Sequence, residues 1–194
     1  MDLKSLLRFC FVLLFCGQNF SLGCRWIRYR YKVVSRENLQ LLTTMGGEFV
    51  IENVNTSFPN KVYSNARHSQ MGDYISILYE VIRQIRKLYS KDMDSVTWDS
   101  VKLDRFQSNL HRVISELDQC KQEMTYSDST RSHRTENRNL KRHFKKLEHY
   151  LKTKVWLFVL DYSGNAWEVV RTEVWKHLQR LDLLASAMRT KMKA

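Results

Sequence analysis

The sequence predicts an all-α protein folded as a bundle of five helices, and three observations lead to this prediction. The 194 residues include one proline and six glycines, so few residues interrupt helices. Apolar residues recur at helical spacing in five separate stretches. No period persists from Gly47 to Gln70, between the first two stretches. Because a loop of that length can cross a bundle overhand, we expect up-up-down-down order instead of short hairpins.

The N-terminal residues are typical of a secretory signal peptide. Basic residues precede an apolar run from Phe9 to Cys16, which is too short to cross a bilayer. Small residues at Ser21 and Gly23 then fit the positions before a cleavage site. We expect residues 1–23 to be removed and residues 24–194 to form a helical domain released from the cell. A buried amphipathic first helix is the alternative.

Two of the four cysteines, Cys24 and Cys120, lie in the predicted mature chain. An even number of cysteines in an oxidising compartment favours one disulfide between them, and two buried free thiols are the alternative. A metal site is not expected, because two cysteines and scattered histidines offer no ligand spacing.

The first predicted helix runs from about Tyr29 to Met45, and the glycines that follow are typical of a helix C-terminus. The overhand loop after it contains Pro59 and the sequon Asn55-Thr56-Ser57. In a secreted protein this sequon predicts N-glycosylation at Asn55, and an ordinary loop asparagine is the alternative.

The second helix is predicted from about Asp73 to Tyr89, with Asp73 as its N-cap. The third is predicted from about Asp99 to Met124. Cys120 falls on the apolar stripe of the third helix, so we expect its sulfur to face the core.

The fourth helix begins near Thr135 and is strongly basic, in a chain whose net charge is +12. Its basic patch consists of Arg138, Lys141, Arg142, Lys145 and Lys146. The ordinary interpretation is a solvated face, and the functional one is a patch for heparan sulfate, an anionic membrane or a receptor. Nucleic acid is not expected, because aromatic residues lie in the apolar stripes and do not alternate with basic ones.

His143 and His149 point to different faces, so we interpret them as solvated or partly packed.

The fifth helix is predicted to begin at Asn165, which forms a capping box with Glu168. Trp167, Val170 and Val174 form its core face.

No glycine-rich phosphate loop, nucleophile elbow or pair of catalytic carboxylates is found in the sequence. We therefore expect no enzyme activity, no cofactor and no stable membrane insertion.

The hexapeptide Ala166-Trp167-Glu168-Val169-Val170-Arg171 is similar to the start of the last helix of type I interferons. Further similarity is found at Phe58-Pro59, at Ser76 to Glu80 and at Trp98-Asp99. The sequence most resembles the fish type I interferons with two cysteines in the mature protein. Their disulfide joins the N-terminus to the third helix, which corresponds here to Cys24 and Cys120.

The resemblance implies a long-chain helical cytokine bundle that acts as a secreted antiviral cytokine. It implies binding to a heterodimeric class II cytokine receptor, JAK-STAT signalling and induction of antiviral genes, and we expect a monomer. High-affinity receptor contacts are implied for the last helix, the overhand loop and part of the first helix. The second, third and fourth helices are implied to face the other receptor chain. The receptor-facing positions of the last helix fall on Arg171, Thr172, Trp175 and Lys176. The alternatives are core packing for Trp175 and ordinary solvated charges for Arg171 and Lys176.

One segment departs from the family pattern, and other functions stay open. The six apolar residues Val155 to Leu160 resemble an insertion that would extend the fourth helix by about 9 Å, and a splice or gene-model error is the alternative. An interferon lambda or interleukin-10-like cytokine shares the expected fold. A cationic membrane-active antimicrobial bundle would use the net charge, and a carrier bundle would need a ligand cavity.

Overall fold

The computed structural model describes residues 22–50, 52, 54, 57–91, 93, 96–124, 134–156 and 162–191. Over these residues it contains seven helices and no strand, which confirms the all-α class. The helices are α1 (Leu22–Tyr29), α2 (Tyr31–Thr44), α3 (Asn60–His68), α4 (Met71–Tyr89), α5 (Ser100–Met124), α6 (Arg134–Trp156) and α7 (Tyr162–Lys191).

Helices α5 and α7 run antiparallel to α2. Lys102 Nζ in the first turn of α5 donates to the Thr44 carbonyl at the end of α2, at 2.8 Å. Further along, Asn109 of α5 donates to Asn38 of α2 at 3.0 Å. The start of α7 likewise lies against the end of α2, near the Leu42 carbonyl.

Helix α4 runs parallel to α2, because its last residue, Tyr89, also meets the starts of α5 and α7. Gln107 Nε2 donates to the Tyr89 carbonyl at 3.0 Å, and the rings of Tyr89 and Trp167 have centroids 6.0 Å apart. Helices α2, α4, α5 and α7 therefore form the predicted up-up-down-down bundle. Helix α6 lies beside α4 and runs parallel to it, because Asn137 near the start of α6 donates to Ser76 near the start of α4, at 3.4 Å, and Lys87 donates to Glu148 further along both helices.

The structure corrects the prediction for residues 47–70, because α3 lies within the overhand loop. Pro59 immediately precedes this helix, and its restricted φ suits a helix start. Val62, Tyr63 and Ala66 lie one turn apart and are all buried. Nine residues are too few for a sustained period, so the tertiary contacts of these three side chains decide the local structure.

Three predicted helix starts are also displaced. The first predicted helix, from about Tyr29, begins instead at Tyr31 as α2, and the additional short helix α1 precedes it. Helix α4 begins at Met71, and its N-cap is Gln70, three residues before the predicted Asp73. Asp73 is therefore not the cap residue but the third helical residue, and it accepts from the Gln70 backbone N–H at 3.4 Å. Helix α7 begins at Tyr162, so Asn165 lies inside its first turn and is not an N-cap.

The predicted disulfide between Cys24 of α1 and Cys120 of α5 is present. Cys120 is completely buried, as its position on the apolar stripe predicts. In the chain-entropy model, closing a loop of this size stabilises the folded state by about 4–5 kcal/mol. The bond attaches the short helix α1 to the bundle.

All seven helices contribute to a single hydrophobic core. The predicted stripes supply its centre: Ile77, Leu110, Leu147 and Val174 are fully buried. Among the described helices, none combines the length and apolar character that a bilayer span requires. Residues 1–21, Asn55 and residues 157–160 of the proposed insertion lie outside the described residues.

Candidate functional site

Arg171, which was predicted to face a receptor, is completely buried. Its guanidinium donates to the carbonyls of Leu42 and Gly47, the latter at 2.5 Å, and its Nε donates to Glu168 Oε2 at 2.6 Å. The Leu42 carbonyl is in the last turn of α2, where carbonyls have no intrahelical partner. Arg171 therefore satisfies the C-terminal end of α2 from the first turns of α7.

The carboxylate of Glu168 makes the second half of this arrangement. Glu168 Oε1 accepts from Trp98 Nε1 at 2.6 Å and from the Gly47 backbone N–H at 3.3 Å. The chain passes so close here that a Cβ at Gly46 would lie 2.7 Å from Trp98 Nε1. We call Glu168, Arg171 and Trp98, together with the Leu42 and Gly47 backbone, the Glu168–Arg171 clamp.

The clamp extends through aromatic contacts to the surface of the molecule. The Arg171 guanidinium lies 4.4 Å from the centroid of the Phe49 ring, within cation–π distance. Phe49 in turn packs against Trp175, with ring centroids 5.5 Å apart. Phe49 and Trp175 are both partly exposed, so a buried ion pair supports an aromatic pair that solvent can reach.

The prediction that Arg171 and Thr172 face outward is wrong. Thr172 is 5% exposed, and its hydroxyl donates to the Glu168 carbonyl at 2.9 Å. Helix α7 packs against α2, α3, α4 and α6, so its buried face is wider than a single apolar stripe. Trp175 and Lys176 are partly exposed and remain candidates for binding.

A second buried polar cluster joins α7 to α3 and α6, and we call His143, His177 and Tyr63 the histidine cluster. The His143 and His177 ring centroids are 4.9 Å apart, and Tyr63 Oη lies 2.5 Å from His177 Nδ1. Phe58 of the overhand loop covers the cluster, with its ring centroid 4.6 Å from that of His177.

Sequence analysis missed the histidine cluster. Helical spacing correctly separates His143 from His149. His143 is 3% exposed, so it is a core residue and is neither solvated nor only partly packed. His177 is fully buried and was not singled out. His177 lies three residues after Val174 and four before Leu181, and this spacing places it on the apolar face of the helix.

Burial lowers the pKa of His177 well below its usual value of 6.5, and repulsion from Lys176, and from His143 when that ring is protonated, lowers it further. Burial also lowers the pKa of His143, against the opposing effect of the Glu173 carboxylate at 3.7 Å. Lys146 adds to the lowering of the pKa of His143. Both histidines are therefore neutral at pH 7.

The basic patch predicted on the fourth long helix lies on the exposed side of α6. Its five residues, Arg138, Lys141, Arg142, Lys145 and Lys146, are all exposed along α6. No group of three or more His, Cys, Asp or Glu side chains able to hold a metal ion occurs in the described part of the chain.

Replacing Arg171 by methionine should lower the free energy of unfolding by about 3–5 kcal/mol. The change leaves the Glu168 carboxylate and two backbone carbonyls without their buried donor. Urea denaturation with linear extrapolation measures the loss. The matched control is Arg180→Met on the exposed side of the same helix, where we expect a change within about 0.5 kcal/mol. Equal effects of the two substitutions would contradict a structural role for the clamp.

Stability should fall as the pH is lowered from 7 to 5.5. The unfolded histidines bind protons near pH 6.5, whereas the folded His143 and His177 bind them only at lower pH. The contribution of these two histidines to the free energy of unfolding is therefore fully present above pH 6.5. Below that pH it decreases, by at most about 1.4 kcal/mol per pH unit for each histidine. Urea denaturation at several pH values measures this slope.

The control for this pH dependence is His149→Gln, since His149 is exposed on the same helix as His143. That variant should keep the slope, and the double variant His143→Gln/His177→Gln should lose most of it. An undiminished slope in the double variant would assign the pH dependence to other groups.

Comparison with known proteins agrees with this architecture. The family model of the interferon alpha/beta domain matches residues 27–188. Interferon a3 of Oncorhynchus mykiss is 37% identical over 92% of this chain and 95% of its own length. Interferon omega-1 of Bos taurus is 30% identical over 92% of this chain and 90% of its own length.

Solved structures give the same result. Zebrafish interferon 1 superposes with a TM-score of 0.71 at 33% identity, and the match covers 86% of this chain and all of that one. Zebrafish interferon 2 has a TM-score of 0.61 at 26% identity, covering 79% and 96%. With its family domain, sequence and fold all in agreement, the chain belongs to the interferon alpha/beta family of helical cytokines and is a type I interferon similar to those of fish.

Proposed function

We propose that this interferon binds a heterodimeric class II cytokine receptor and brings the two receptor chains together. The receptor-associated kinases then start JAK-STAT signalling, which induces antiviral genes. The observation that carries the proposal is the interferon domain spanning residues 27–188, together with 37% identity to a trout interferon along nearly the full chain. The fold alone would not be sufficient evidence for receptor binding, because proteins that share a fold can carry different binding surfaces.

The proposal includes secretion of the mature chain. Residues 1–23 would be removed as a signal peptide, which leaves Cys24 at the N-terminus and already paired with Cys120. We further propose that Asn55 carries a glycan and that the mature protein acts as a monomer.

The high-affinity receptor chain is proposed to contact the partly exposed part of α7 and the beginning of the overhand loop. Trp175 and Phe49 form a partly exposed aromatic pair there, with ring centroids 5.5 Å apart. Lys176 follows Trp175, and its side chain is 40% exposed beside Glu173, at 2.7 Å. Tryptophan, tyrosine and arginine are enriched among the residues that dominate binding energy.

Arg171 has a different role in this proposal: it positions the surface and does not touch the receptor. Its guanidinium holds the Gly47 carbonyl at 2.5 Å and lies against the Phe49 ring. Losing it would release the loop that carries Phe49, so receptor binding would decline through loss of order.

Cells exposed to the mature protein should induce antiviral genes only when both receptor chains are present. We would measure transcripts in parental cells, in cells lacking each receptor chain and in cells with the chain restored. Induction that persists without the receptor chains would refute the proposed function. Salt-sensitive lysis of receptor-deficient cells would instead support a membrane-active protein.

Replacing Trp175 by alanine should raise the Kd for the high-affinity receptor chain at least about tenfold, which corresponds to about 1.4 kcal/mol. Surface plasmon resonance on the isolated receptor chain measures the change. Val101→Ala is the control, since Val101 is 75% exposed on α5 and outside the proposed contact. An unchanged Kd for a folded Trp175→Ala variant would remove Trp175 from the contact surface.

A further inference from the structure

A row of positive charge runs along the solvent side of α6. Arg138, Arg142, Lys145 and Lys152 follow one another at intervals of four, three and seven residues, and each side chain is exposed. These intervals keep the four residues on one side of the helix. At 1.5 Å per residue, the row is about 21 Å long.

Helix α4 widens this row into a basic face, because the acidic residues between α4 and α6 lie beneath basic ones. The Glu80 side chain is 7% exposed and accepts a hydrogen bond from Arg83 at 3.2 Å, with Lys141 at 3.9 Å. The cations stay accessible, since the side chains of Arg83 and Lys141 are 48% and 53% exposed. Solvent therefore meets the cations and not the carboxylate.

Glu148 is likewise covered by basic side chains, nearer the C-terminal ends of α4 and α6. Its side chain is 17% exposed and lies within 3.6 Å of Lys87, Lys91 and Lys152. The hydrogen bonds from Lys91 and Lys87 lower the pKa of Glu148 to about 2, so it remains ionised at neutral pH. Three lysines surround this one carboxylate, and the local charge stays positive.

We call this surface the α4–α6 basic face, and it presents eight cations over two largely buried carboxylates: Arg83, Lys87, Lys91, Arg138, Lys141, Arg142, Lys145 and Lys152 over Glu80 and Glu148. Such a density of like charge attracts a polyanion and strengthens the attraction as the salt concentration falls.

The exposed apolar and aromatic side chains near the face, or their absence among the described residues, distinguish between kinds of polyanion. The large apolar side chains found exposed in the described residues are Tyr29, Val33, Val101 and Leu183, and none is on α4 or α6. Among the side chains that the structure describes, the face therefore has no exposed aromatic platform of the kind that binds single-stranded nucleic acid and no exposed apolar side chain of the kind that enters a membrane interface. Arginine forks and lysines in an extended row suit a chain of closely spaced oxyanions.

We infer that the α4–α6 basic face binds a linear sulfated polysaccharide. The preference for an extracellular polymer rests on the proposed secretion. Bound polymer would concentrate the protein at cell surfaces and limit its diffusion. This activity is separate from the aromatic pair of Phe49 and Trp175, which lies on the overhand loop and α7.

The test compares two triple variants of the mature protein that remove the same charge. The first is Arg138→Gln/Arg142→Gln/Lys145→Gln on the basic face. The control is Arg25→Gln/Arg36→Gln/Lys61→Gln, which removes three exposed cations from α1, α2 and α3. Binding to immobilised heparin is measured by surface plasmon resonance over a range of NaCl concentrations, with unfolding midpoints confirming that each variant is folded.

The basic-face variant should raise the Kd for heparin at least tenfold, and the control should change it less than threefold. The slope of log K against log salt should become shallower by about 2–3 in the basic-face variant, because three ionic contacts are lost and each releases slightly less than one counterion. The single variant Arg142→Gln, which changes one exposed side chain, should give an intermediate loss.

Several outcomes would overturn the inference. Equal losses in the two triple variants would mean that binding follows net charge alone. Unchanged heparin binding in the basic-face variant would exclude this face. Tighter binding of the unmodified protein to phosphatidylserine vesicles than to heparin would assign the face to membranes. Loss of binding to a receptor chain with heparin affinity intact would make it a receptor contact. Because heparin binding needs no receptor, its failure leaves the proposed cytokine function untouched.

Discussion

The buried pairing of Glu168 with Arg171 is the constraint on which the surrounding structure depends. A guanidinium without solvent contact must have its donors satisfied, because an unpaired buried charge costs several kcal/mol. Arg171 meets this requirement with the end of α2, the start of the overhand loop and Glu168 of its own helix. The three segments must therefore assemble together, and Gly46 must be small enough to let Trp98 reach Glu168.

The overhand loop is held at both ends by polar groups of α7. The clamp holds its beginning at Gly47, and the histidine cluster holds Phe58 and Tyr63 at the loop's later part. The attachment at the histidine cluster responds to acid, because its neutral buried imidazoles gain protons as the pH falls. Side chains that order the loop are buried, and those available to a partner lie beside them on α7.

Helical periodicity was sufficient for the five long helices and for most core residues, because each long stripe repeats over several turns and averages out local exceptions. It failed where few turns exist or where a helix is surrounded. Helix α3 is nine residues long and depends on burying Val62, Tyr63 and Ala66. Arg171 and Thr172 were assigned outward because a charged and a hydroxyl residue normally favour solvent, and the hydrogen bonds that make their burial possible come from residues distant in sequence.

The sequence by itself determined the all-α class, the long crossover, the facing of Cys120 and, through its hexapeptide, the family. Those properties depend on local spacing, composition and short motifs, all of which can be read along one chain. Only the tertiary structure decided that Arg171 orders a loop, that two histidines share a buried cluster and that Glu80 and Glu148 lie beneath the cations of the basic face. Burial and electrostatic environment depend on which helices pack together, and that information is absent from the period of any single helix.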